Sequence, residues 1–310
     1  MITTMPMLLR RELWEHRALY AAPFVLAALV VFGFVLSFFT LIFTGSSVNA
    51  AVSALELTGA PGGLAGGAAL VGVPFLFMYF VLVGVVFFYS VSALSEERKD
   101  RSILFWRSLP VTDTETVLSK FLTAILVAPV ITIVMVVITH VILLVLASVA
   151  IMIGGGNPVE LLLGPLPFVQ IWVLLAYMLV TASLWFAPVV AWFLICSSFA
   201  KNRSVFVWVF VPWLVLIMLE GIVFRKPFVA PMIARRFSDG VPAAFDAPAV
   251  GVLPDNIDEE VFFEMLKAND LNILELIAPG KFLMTPGLWT GLIVAAIFLA
   301  GAIYFRRLRA

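Results

Sequence analysis

The sequence predicts an all-α membrane protein: six transmembrane helices, both termini cytoplasmic, an N-terminal interfacial helix, and a small helical external segment between spans five and six. Three observations carry this. Of 310 residues, 63% are hydrophobic and 12% charged, where an ordinary soluble domain has about 25% charged residues. Six apolar stretches reach the roughly 20 residues a membrane helix needs. The basic residues then fall unevenly between the two sides that six crossings define. The same composition excludes a disordered chain. The formal net charge of zero gives no support to a nucleic-acid binder.

The first span is expected from Ala18 to Thr44 and the second from Ala68 to Leu94, both without a charge until their ends. The first apolar run far exceeds a signal-peptide core of about 7–15 residues and reads as a retained span. The third runs from Val117 to Ile153, with Lys120 at its start and His140 inside. The fourth covers Phe168–Ser197, the fifth Val205–Phe224 with Glu220 near its end, and the sixth Leu288–Phe305. Pro23, Pro74, Pro129, Pro188 and Pro212 lie within spans and are expected to kink them.

Thirteen Lys/Arg residues fall on the side of the termini and six on the other, with seven and twelve acidic residues respectively. Arg10–Arg17, Lys201–Arg203 and Arg306–Arg309 are short basic segments, so the termini are expected in the cytoplasm. The chain then divides into a cytoplasmic interfacial helix (1–17), five spans with a charged cytoplasmic loop at 95–116 (18–224), an external helical subdomain (225–286), and the sixth span with its basic tail (287–310). Asp258–Lys267 carries Val261, Phe262, Met265 and Leu266 at spacings of three and four, the pattern of an amphipathic helix.

Two cytoplasmic segments stand out. In the first, Leu9, Leu13 and His16 share a helical face, Trp14 stands beside it, and Arg10, Arg11 and Arg17 occupy the others. Such a helix can lie in the interface with its cations on lipid phosphates, or simply be a basic topogenic flank. The second, Ser95–Lys120, has ten charged residues in 26 positions. Glu96, Glu97, Arg98 and Arg101 form its cluster, followed by Leu104, Phe105, Trp106 and Arg107. Pro110 breaks it, and Thr112 with Glu115 fits a capping box that starts the next helix. Exposed aromatics among mixed charges suit a surface that docks a soluble partner. A solvated membrane-flanking loop has the same composition.

This loop resembles that of type-2 permeases of ATP-binding-cassette (ABC) transporters. Those proteins show a paired-acid and basic cluster, an apolar turn, S-L-P-V-(S/T), an acidic helix start, and a Lys opening the third span. The pieces here are Glu96, Glu97, Arg98 and Arg101, then Leu104 and Phe105, then Ser108–Thr112, then Glu115 and Lys120. Arg11-Glu12-Leu13-Trp14-Glu15 and the six-span layout are also similar. Ser102 stands where the family commonly has Gly. The resemblance implies an export permease of the bacterial cytoplasmic membrane that works in pairs. Two permease copies would bind two separate ABC ATPase subunits through a coupling helix near Arg98–Leu109, with ATP and magnesium held by the ATPases. The chain itself has no G-x-x-x-x-G-K-S/T phosphate loop, so by this reading it is not the enzyme and carries no cofactor of its own.

Glu220 and His140 are candidates for a substrate pathway, since ionisable groups inside spans are costly unless paired or solvated. The apolar spans favour a hydrophobic or amphipathic cargo. A stand-alone channel or secondary transporter is the alternative, expected to act without an ATPase. An intramembrane CAAX-type protease is suggested by Glu96-Glu97-x-x-x-Arg101. Its F-x-x-x-H partner is missing, because Val136 precedes His140 by four residues and Glu12 precedes His16. The single cysteine, Cys196, forbids an intrachain disulfide, and no Cys/His cluster has metal-ligand spacing.

Overall fold

A computed structural model describes residues 4–43, 62–99, 111–164, 167–200, 205–225, 227–246 and 273–308. It contains helices α1 (Met5–Glu15), α2 (Ala18–Phe43), α3 (Gly62–Lys99) and α4 (Asp113–Ile153). Then come α5 (Phe168–Trp185), α6 (Ala187–Phe199), α7 (Val205–Leu219), α8 (Val229–Ser238), α9 (Gly240–Ala244), α10 (Pro279–Met284) and α11 (Pro286–Leu308). Among the described residues there is no strand, only the isolated bridge Phe245–Ile277. Among the described residues six helical stretches are long and apolar enough to cross a membrane: Ala18–Thr40, Ala69–Glu97, Asp113–Ile153, Val159–Trp185, Val205–Val223 and Pro286–Leu308. The chain is thus a multi-pass helical membrane protein in architecture.

Several boundaries differ from the expected ones for local reasons. The third crossing begins at Asp113, four residues before the expected start. Thr112 accepts the Glu115 N–H while the Glu115 carboxylate accepts the Thr112 N–H, so the capping box fixes the first turn. Pro129 has no N–H for the carbonyl four residues back, and the turn just before it, Thr123–Val127, widens to π geometry. The expected fourth span is two helices. Phe186 leaves the helical region at φ −87°, ψ 4°, two residues before Pro188. The fifth ends in a π turn, Glu220–Phe224, closed by Arg225 in the left-handed region at φ 49°. Between spans five and six the described part consists of α8, α9, a 3-10 turn at Ile273–Leu276, and α10. The amphipathic segment 258–267 lies outside the described residues.

Packing follows side-chain size. α11 runs along α6, and small residues, Ala295 and Ala302, are among its buried positions. A Cβ on Gly301 would fall 2.6 Å from Ile195 Cδ1, so the two helices approach where glycine permits. α3 packs on α6, and α2 on α3 and α4, around Leu19, Met78, Val136 and Leu194. Many outer apolar side chains, such as Phe24, Phe32, Phe80 and Ile297, remain exposed on the isolated chain, as lipid-facing positions should.

Candidate functional site

The densest chemistry lies where α1, the end of α3, the start of α4 and the end of α11 converge. Each helix contributes a charge that its neighbours bury. Lys120, two turns into α4, is wholly buried, and its Nζ donates to Glu12 Oε1 and Oε2 at 3.0 and 3.1 Å. The same Nζ is 3.1 Å from Glu97 Oε1. Glu97 also receives Arg11 Nη2 at 3.0 Å, and Arg306 Nη1 on its other oxygen at 2.5 Å. Arg306 turns its Nε to Asp113 Oδ1 at 2.9 Å. The Tyr89 hydroxyl donates to Glu12 Oε2 at 2.8 Å. Thr4 donates to Glu115, binding the first turn of α1 to that of α4.

The arrangement is an ionic knot. Within it Glu12 and Glu97 are the buried anions, and Lys120 and Arg306 the cations least exposed to water. Buried charges persist only when paired and hydrogen-bonded, and these are. Its mechanical meaning is that four separate helices share one set of charges, so none can shift without uncovering a charge on another.

Glu12, Glu15 and His16 also place ligand atoms within 4.8 Å of one another. The knot occupies that donor set with protein cations: Lys120 holds Glu12 and Arg11 holds Glu15. A metal ion there would face the Lys120 ammonium.

His16 sits at the edge of the knot, its ring edge-on to Tyr89 at 4.8 Å and its Nε2 3.9 Å from Glu12. Burial, and then the Lys120 charge, push its pKa below the usual 6.5, while Glu12, Glu96 and Glu15 pull the other way. The unfolded chain therefore binds the proton more readily than the folded one, and stability should fall as pH drops below about 6.5. Between about pH 7.5 and about pH 5.5, His16→Gln should lose less thermal stability than the parent. Identical losses in a thermal-shift assay would refute this role.

The expected site residues fall into different places. Glu97 lies in the knot, whereas Glu96, one residue earlier, is exposed. Arg98 is in the last turn of α3. Arg101, Leu104, Phe105, Trp106, Arg107 and Pro110 lie outside the described residues. In α1 the buried residues are Leu8 and Glu12, while Leu9, Leu13 and His16 of the apolar face are half-buried and Leu13 packs on the core. The reason is electrostatic: Lys120 draws Glu12 inward. Arg11 reaches the knot, Arg10 lies over the exposed Trp14 ring at 4.8 Å, and Arg17 is exposed. His140 is fully buried and accepts the Trp172 indole N–H on Nδ1 at 3.3 Å, linking α4 to α5. Glu220 accepts the Val229 N–H on both oxygens at 2.8 Å, at the first turn of α8. Glu220 thus has a partner for both oxygens, whereas His140 is bonded on Nδ1 and keeps its buried Nε2 without a hydrogen-bond partner. Cys196 is buried against the Trp208 carbonyl.

Sequence reasoning missed Glu12, Tyr89 and Arg306 as members of a site. One signal was available: Lys120 stands two turns past the Thr112 cap, too deep to be a flank, and so needs an acidic partner. Arg306 was legible only as one charge of a basic tail.

No protein-family model matches the chain, and neither does any curated protein or solved structure.

Proposed function

We propose that this chain is the permease subunit of an ABC exporter. In this reading it lies in the bacterial cytoplasmic membrane with both termini inside. It acts as a pair and moves a hydrophobic or amphipathic cargo with energy from a separate ATPase subunit. The supporting observation is the relation between the charged loop and the knot. Glu97 and Lys120 bracket the loop that resembles the coupling segment of type-2 permeases, and they meet 3.1 Å apart. Glu97 is bound to Arg306 at the end of the sixth span, and Lys120 to Glu12 of the N-terminal helix. A push on that loop reaches the second, third and sixth spans through charges that cannot separate cheaply in a buried setting. A two-state switch driven by a nucleotide bound elsewhere needs a rigid connection of this kind.

The test is co-purification with an ABC ATPase encoded beside this chain, followed by ATPase assay of the complex in lipid. Arg101→Ala with Trp106→Ala, two substitutions in the loop, should weaken association or uncouple ATP hydrolysis from the permease by tenfold or more, about 1.4 kcal/mol or above. Failure of any ATPase subunit to associate, or full coupling in the double variant, would overturn the reading. A stand-alone channel or secondary transporter would instead show flux without ATPase.

A further inference from the structure

At the opposite end of the sixth span, a cleft of about 460 Å³ lies between α8, the break in the fourth crossing, and the first turns of α11. Its construction begins with Pro188. The Val189 N–H bonds the Phe186 carbonyl instead of continuing the α-helical pattern, which leaves the Trp185 carbonyl without that partner. Arg236 of α8 fills the gap. Its Nη2 donates to the Trp185 carbonyl and its Nη1 to the Gly287 carbonyl at 2.8 Å. Its guanidinium stacks 4.4 Å from the Trp185 ring centroid, and the Trp185 indole N–H returns a bond to the Arg236 carbonyl at 2.7 Å. A Cβ on Gly291 would collide with Arg236 Nη2, so the cation can occupy this position only against glycine.

Arg236 is thus pinned by carbonyls and a ring, none of which neutralises it. Its Nε is buried and has no hydrogen-bond partner. Arg235, on the same wall, has no carboxylate in ion-pair contact among the described residues. Among the described residues lining the cleft, Asp239 is the acidic one, against two guanidinium groups. The remaining wall is apolar and open, with Phe228 74% and Met232 49% exposed. The cleft's level is fixed by the chain: Phe228 follows the end of the fifth apolar stretch, while Gly287 and Thr290 open the sixth. Those are the positions where a span leaves the hydrocarbon and meets the headgroups.

Net positive charge, an apolar wall and headgroup depth specify one kind of occupant. We infer that this cleft binds the anionic headgroup of a membrane phospholipid, with the phosphate beside Arg235 and Arg236 and the lipid chains over Phe228 and Met232. The inference needs only the membrane-spanning architecture and stands whether or not the chain partners an ATPase.

The experiment uses the full chain in nanodiscs with phosphatidylglycerol carrying a photoreactive headgroup, and maps the crosslinked peptide. Labelling should concentrate on 227–239 and be competed by unlabelled phosphatidylglycerol, not by phosphatidylcholine. Arg236 holds the fold together, so the informative variant is Arg235→Gln, with Arg225→Gln as a nearby basic control outside the cleft. Arg235→Gln should lower labelling about fivefold, the factor expected for one basic residue at a lipid surface, and Arg225→Gln should leave it unchanged. Equal competition by phosphatidylcholine, or undiminished labelling in a normally folded Arg235→Gln protein, would overturn the inference. Competition by millimolar inorganic phosphate but not by phosphatidylglycerol would also overturn it, by making the cleft a site for free phosphate.

Discussion

Lys120→Met should be the most damaging single substitution in the protein. It removes the cation that Glu12 and Glu97 share and leaves Glu12, which is 0% exposed, with the Tyr89 hydroxyl as its nearest donor. Breaking a buried pair by deleting one partner costs about 3–5 kcal/mol. For a chain of this size, with an unfolding entropy of about 2.1 cal/mol/K per residue, that lowers the thermal midpoint by about 5–8 °C. The cost comes from the carboxylates left behind, so neutralising one of them should repair part of it. Glu12→Gln combined with Lys120→Met should be clearly more stable than Lys120→Met alone. A double-mutant cycle in detergent measures the coupling directly. Lys120→Met unfolding within about 0.5 kcal/mol of the parent, the range of an ordinary surface change, would show that the knot does not hold the helices together.

The same knot shows what a sequence can and cannot disclose. The six crossings were legible because apolar length is a property of each segment by itself. The start of α4 was legible because its capping box joins residues three apart, Thr112 and Glu115. The knot joins residues 108 and 209 apart, Glu12 with Lys120 and Glu97 with Arg306. No local pattern encodes those pairings, and Arg306 differs in no local way from Arg307 beside it. The burial of Glu12 in α1 was not legible for a related reason. Amphipathicity groups apolar residues on one face, and here a carboxylate is buried because a buried ammonium waits for it. The break at Phe186 was half legible. Pro188 marks a disturbance in a span, but what fills the freed carbonyl comes from α8, about 50 residues later.

That break leads to the second large effect, at Gly291. The Arg236 guanidinium lies where a Cβ at 291 would stand, against Nη2 and 2.7 Å from Cζ. The far end of a free arginine would swing aside at little cost. This one cannot without surrendering the Trp185 and Gly287 carbonyls and the Trp185 ring. Gly291→Val should therefore force Arg236 out and leave buried carbonyls unpaired, at about 1–3 kcal/mol for each group lost. Gly72 and Gly84 are the controls, since a Cβ at either meets nothing within 4 Å. Gly84→Ala should be neutral or gain about 0.5–1 kcal/mol from the better helix former. The two substitutions thus separate glycine kept for space from glycine that merely weakens a helix. Thermal unfolding of both variants, with Trp fluorescence reporting on Trp185, tests the distinction. If Gly291→Val is as stable as Gly84→Ala, the Arg236–Trp185 pair is not a fixed part of the fold. The cleft it walls would then have no rigid cation to offer a headgroup.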